Sequence, residues 1–258
     1  MKNFLYSLFI GLFGIAALTS IAFLLMYAAQ SKQQTHLYSN LAAVREQDTQ
    51  QEIASQSSVQ PTSRNLYLEN ADMIGWIQIE GTSIDYPVMQ TVDEPNFYLK
   101  RGVDKQYSDY GVPYVQENCD LALSDNCVIY GHHMNNGTMF ADLCKYESED
   151  FYQEHKTIRF DTLSGFGEYE IMAVFKTVAY SEQGFKYYHF TRAESAEDFD
   201  AYIAQCKALS LYDTGVTAEY GDKLITLSTC EYSRKNGRMV VVAKRIAAPS
   251  AEAGSNEA

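Results

Sequence analysis

Between residues 64 and 246 apolar and polar positions alternate in short runs broken by turn signals, which predicts a mainly β domain. GWIQIEGTSIDYPVMQ, from Gly75 to Gln90, sets Ile77 and Ile79 against Trp76, Gln78 and Glu80, turns through Gly81 and resumes, the pattern of a hairpin with one half-buried face. CVIYG (Cys127 to Gly131), TIRFDT and GEYEIMAVFKTVAY read as further strands. The run ITLSTCEYSRKNGRMVVVAKR, Ile225 to Arg245, reads as two strands joined by EYSRKNG, with Asn236-Gly237 as the turn. Helical spacing interrupts this pattern twice. SAEDFDAYIAQCKALS places Asp198 three residues after a capping Ser195, and Phe199, Tyr202, Ile203, Cys206 and Leu209 form an apolar stripe, so a helix lies on the sheet with Cys206 turned inward. GTMFADLCKYESEDFYQEH predicts a second helix in which Cys144 serves packing.

The amino-terminal pattern is of another kind. From Phe4 to Ala29 no residue carries a charge, and such a run exceeds the roughly 20 apolar residues needed to cross a bilayer. It is also longer than the apolar core of a cleavable signal, about 7 to 15 residues, and no A-x-A site follows it, so a retained anchor is expected over a cleaved signal. The layout is therefore a tail of residues 1–3, a membrane anchor at 4–29, a Gln- and Ser-rich stalk at 30–63, the β domain at 64–246 and a small, polar, disordered tail at 247–258. Within the stalk, 37–53 has a weak apolar face that gives an isolated helix little stability. A short tail ahead of a long following domain suits an inside amino terminus and an extracytoplasmic domain.

Charge narrows the partners. The formal net charge is −13, which argues against nucleic acid, since a phosphate-tracking surface needs clustered Lys and Arg. Five cysteines, Cys119, Cys127, Cys144, Cys206 and Cys230, show no zinc-type spacing, so no metal or other cofactor is implied. Cys119 and Cys127 flank DLALSDN, a spacing that leaves a small disulfide loop open.

Two readings of Cys230 compete: a small buried hydrophobe closing a strand, or a nucleophile. If EYSRKNG joins two neighbouring strands, Cys230 ends one and Arg238 opens the next, at the same end of the sheet. A cation there favours the thiolate or donates to an oxyanion; a strand-start arginine is equally a solvated edge residue. VIYGHHM, Val128 to Met134, ends another strand in a glycine and two histidines, and imidazole is the acid or base that thiol chemistry needs near neutral pH.

Behind an uncharged amino-terminal segment, YGHHM, TLSTC and an arginine eight residues after the cysteine resemble the class B sortases, membrane-bound cysteine transpeptidases of Gram-positive bacteria. The similarity extends through ADMIGWIQIEGTSIDYPVMQ and GRMVVVAKR, covering about Asn65 to Ile246. It implies an eight-stranded β-barrel of sortase type with added helices, in which His132, Cys230 and Arg238 converge. His133 is then a neighbour of the catalytic ring, His155 and His189 serve packing or the surface, and His36 lies in the stalk. By motif position Tyr130, Ser228 and Thr229 line the substrate groove, with the alternative that the two hydroxyls only satisfy strand-end backbone. The Glu231 backbone N–H joins Arg238 at the oxyanion.

The implied reaction cleaves a sorting signal after Thr and passes the acyl group to an amine. Its partners are a surface protein or pilin carrying that signal, and a cell-wall peptide amine or a pilin lysine as acceptor. A papain-like protease is disfavoured because its local cysteine signature is absent. A non-enzymatic, membrane-tethered wall-binding domain, with Cys230 buried, is the alternative from another class.

Overall fold

The computed structural model describes residues 2–55, 70–162, 165–180 and 182–246. Among the described residues there are eight strands: β1 (Met73–Gln78), β2 (Asp85–Met89), β3 (Tyr114–Val115), β4 (Asn126–Tyr130), β5 (Thr157–Thr162), β6 (Glu168–Val178), β7 (Leu224–Cys230) and β8 (Gly237–Arg245). They pair in the order β1-β2-β3-β4-β7-β8-β6-β5, and β1 pairs back onto β5, so the sheet closes into a barrel and leaves no long free edge. The expected hairpins are β1/β2, which pairs Gln78 with Asp85, and β7/β8, which pairs Cys230 with Arg238. The strand missing from the periodicity is β3, whose two residues are too few to alternate; its place is fixed by the pairs Met89–Tyr114 and Tyr114–Tyr130.

The strands that carry the site are buried on both faces. In β7 every residue from Leu224 to Thr229 is buried, as are Met239 to Ala243 in β8, which explains why TLST and MVVVA read as near-continuous apolar or small runs. One side of these strands is the barrel interior; the other is covered by helices. A 3-10 helix over Ala141–Glu147 runs into α2 (Glu149–Glu154), the two together taking the place of the expected second helix. Against β6 packs α3 (Ala196–Leu209). The Asp198 N–H donates to Ser195 Oγ at 3.3 Å to cap its start, and Phe199, Tyr202, Ile203 and Cys206 are buried, with Leu209 partly exposed. The Tyr202 ring stacks on Phe190 at 3.9 Å.

The amino-terminal segment departs from its predicted layout. A single helix, α1 (Lys2–Ser55), continues through the expected stalk; it is about 80 Å long at 1.5 Å per residue. Its apolar side chains from Phe9 to Met26 stand exposed, as on a helix that faces lipid. The chain divides into compact units at residues 1–43 and 44–258. Most of the remaining stalk and the tail at 247–258 lie outside the described residues.

Candidate active site

The site is made by a parallel pair. β4 and β7 run side by side with Tyr130 opposite Ser228, so both chains reach the same rim and the residues that follow, His132 and Cys230, emerge together. Two glycines make this exit possible. A Cβ at Gly131 would enter the Phe140 ring, and one at Gly237 would strike the Glu231 carbonyl. At the β7–β8 turn the left-handed backbone is at Asn236, with φ 57°, and Gly237 already belongs to β8.

Cys230 and Arg238 face each other across this hairpin. The Glu231 N–H donates to Gly237 O at 3.0 Å, so the next pair inward, Cys230–Arg238, is of the non-hydrogen-bonded kind, in which side chains on one face come closest. Arg238 Nη1 donates to Gly237 O at 2.9 Å, which fixes the guanidinium and leaves its other N–H groups for a ligand. His132 Nε2 lies 2.7 Å from Leu99 O; a carbonyl only accepts, so Nε2 carries the hydrogen and Nδ1 is the nitrogen left to exchange a proton. Burial holds the His132 pKa below the ordinary imidazole value and Lys100 pushes the same way, while the Leu99 contact and Asp109 oppose them. Among the described residues no hydrogen bond joins His132 to Cys230.

All three residues line one groove of about 420 Å³, together with Tyr130, Ser228 and Thr229. The hydroxyls of the floor are committed: Thr229 Oγ1 donates to Gly131 O at 2.8 Å, Ser228 Oγ meets Tyr187 Oη at 2.6 Å, and Tyr130 Oη donates to Gln116 Oε1 at 2.5 Å. Cys230 is partly exposed, which removes the reading of a sealed strand-end thiol.

A sortase-domain family model matches residues 77–246. The chain is 36% identical over 186 residues to sortase B of Listeria monocytogenes, covering 71% of this chain and 73% of that protein. It is 33% identical over 194 residues to sortase B of Staphylococcus aureus, covering 74% and 77%. A solved Staphylococcus aureus sortase B–substrate complex superposes with a TM-score of 0.76 at 31% identity, over 84% of this chain and 98% of that one. The chain belongs to the class B sortases.

As a sortase it is a cysteine transpeptidase, and the structure adds detail at four more of the expected residues. Glu231, expected to offer its backbone N–H to the oxyanion, donates that N–H to Gly237 O at 3.0 Å, and its carboxylate accepts from Ser233 N and Oγ at 2.8 and 2.7 Å. Cys144, expected to be packing, lies 3.3 Å from His133 Nδ1 and 3.8 Å from Cys230 O. His189 stands on the groove wall, whereas His155 Nδ1–H donates to Glu80 O, 2.8 Å away.

The sortase groove also uses residues that no motif exposed. Leu99 orients His132 from a 3-10 helix (Phe97–Lys100), and Tyr187 backs Ser228 from another (Tyr187–His189). The only signal for them was aromatic density in loops. Cys119 and Cys127 are unbridged thiols. The S–H of Cys127 donates to Asp120 O at 3.9 Å and that of Cys119 to Asn126 O at 3.7 Å; the interaction between the two thiols lowers the Cys119 pKa and, with burial, raises that of Cys127.

Proposed function

We propose that this sortase cleaves a sorting signal after Thr, holds the amino-terminal product as a thioester on Cys230, and transfers it to an amine of a cell-wall peptide. The Cys230 thiolate attacks the Thr carbonyl, Arg238 donates to the oxyanion, and protonated His132 gives its proton to the departing amine. The acceptor amine then attacks the thioester, His132 takes its proton, and the thiolate leaves as an amide forms. Transfer outruns hydrolysis where the acceptor is held better than water. The observation that carries this reading is the close Cys230–Arg238 pair on the wall that also bears His132. Tyr130, Ser228 and Thr229 form the floor on which the signal rests, and the anchor at 4–29 holds the catalytic domain on the outer face of the membrane.

The test incubates full-length enzyme in detergent with NPQTN- and LPxTG-containing peptides and triglycine, and follows products by mass spectrometry. A glycine-capped product that disappears in Cys230→Ala supports the reading; equal product from that variant ends it. Preference for a lysine side chain over triglycine would mean that the enzyme polymerises pilins. Protease added to intact cells checks the topology, since an inside domain would be protected.

A further inference from the structure

We infer that His133, the second histidine of YGHHM, is a positioning residue that fixes the nucleophile through its main chain. The inference rests on the transpeptidase reading of the groove and adds to it a residue that acts on Cys230 through its carbonyl.

The geometry follows from where the parallel ladder stops. Gly131 N–H donates to Ser228 O at 3.1 Å. One repeat further along a parallel pair, the N–H of residue 133 should donate to the carbonyl of Cys230. The ring takes over that role: His133 Nδ1 lies 3.1 Å from Cys230 O, and because a carbonyl only accepts, Nδ1–H is the donor. The main chain of 132–133 is thereby released to pair elsewhere. His132 O accepts from Phe140 N at 2.8 Å, His133 bridges to Met139, and Tyr232 Oη donates to His133 O at 3.1 Å. β4 can therefore leave the sheet and open the groove for His132 without freeing the end of β7.

Cys144 completes the arrangement. Its Sγ lies 3.8 Å from the same carbonyl and 3.3 Å from His133 Nδ1, so the S–H donates to Cys230 O while Sγ accepts a share of the Nδ1 hydrogen. The Cys230 carbonyl thus has two side-chain donors, from the YGHHM loop and from the 3-10 helix over Ala141–Glu147. The Cys230 main chain is held on the side away from Arg238, and the thiol is left to the groove. An asparagine at 133 can offer its amide N–H where the ring offers Nδ1–H; an alanine cannot.

The test compares wild type, His133→Ala and His133→Asn, each as the full chain in detergent. One measurement is steady-state transfer of NPQTN- and LPxTG-containing peptides to triglycine; the other is the rate of Cys230 modification by a methanethiosulfonate reagent. His133→Ala should lower kcat by roughly ten- to a hundredfold with KM within about twofold, the signature of a misplaced reacting atom. It should also change the modification rate by at least about fivefold, and His133→Asn should return both values to within about threefold of wild type. The inference is overturned if Ala leaves kcat and labelling near wild type, or if Asn is as impaired as Ala at equal thermal stability, because the ring itself would then be required. If wild type transfers neither peptide, the transpeptidase reading fails by itself, and the labelling rates of the three proteins still decide whether His133 positions Cys230.

Discussion

Cys230 and Cys206 have the same side chain in opposite settings. Cys206 sits on the inner face of α3, fully buried, and burial pushes its thiol up to about 12. Cys230 sits where β7 runs out, partly exposed, with a guanidinium across the hairpin and an imidazole on the same wall. One thiol is a small apolar filler; the other has solvent, a cation and a ring for its chemistry. The contrast arises because a helix stripe must be dry to hold the helix down, whereas a strand end is the place where the ladder stops and side chains can converge on a ligand.

The largest break in that contrast is chemical. Cys230→Ala should remove transfer activity, a loss of at least about a thousandfold, while the denaturation midpoint barely moves, since no core atom is lost. Product mass and a urea titration read the two quantities separately. Arg238→Lys comes next. A lysine supplies charge but not a fixed planar fork, so kcat should fall by about a hundredfold with KM little changed, and Arg238→Ala should be no better. A lysine variant with full kcat would remove the oxyanion role from Arg238.

Cys206→Ala should show the reverse profile. It leaves a small cavity under α3 and should cost about 1 kcal/mol in urea unfolding while activity per folded molecule is kept; a loss of kcat at unchanged stability would contradict the assignment of Cys206 to the core. Thr229→Val falls between the two sites. Losing the Thr229 donor strands Gly131 O, so stability should drop by about 1 kcal/mol, and His132, two bonds of chain away, should act more slowly.

The smallest effect is electrostatic. On the proposed mechanism His132 must be protonated to release the amine, so its depressed pKa should make acylation decline as pH rises through that value. Lys100→Met removes a charge that lowers this pKa and unpairs Asp109, now bound to Lys100 at 2.9 Å, which raises it. Both changes act upward, so the alkaline limb of the acylation profile should move to higher pH by about half a unit at low salt and less at high salt, since the pair is exposed. Asp109→Asn should move the limb the other way.

Much of the fold could be read from the chain because its signals are local. The β1/β2 and β7/β8 hairpins followed from alternation and turns, and α3 from its cap and stripe; each depends on residues within one element or on contiguous ones. The two-residue β3 left no periodicity to detect, the expected second helix is split into a 3-10 helix and α2, and the continuation of α1 to Ser55 overrode a weak apolar face. In the site, the motif cysteine and arginine were legible as a pair because one tight hairpin joins them. That the Glu231 N–H pairs with Gly237 O was not legible, because sequence order does not reveal where an N–H is already used.

Residue types and near spacing alone determined that this chain carries an apolar amino-terminal run, a β domain, one inward helix and a thiol opposite an arginine, for those follow from side-chain chemistry and the period of the backbone. Only the tertiary structure decided that Tyr130 pairs with Ser228 across a parallel ladder, that His132 leans on Leu99, and that His133 and Cys144 hold the carbonyl of Cys230. Such contacts join segments from 33 to 97 residues or more apart. They form only when the barrel closes, and no local period encodes which strand ends will meet.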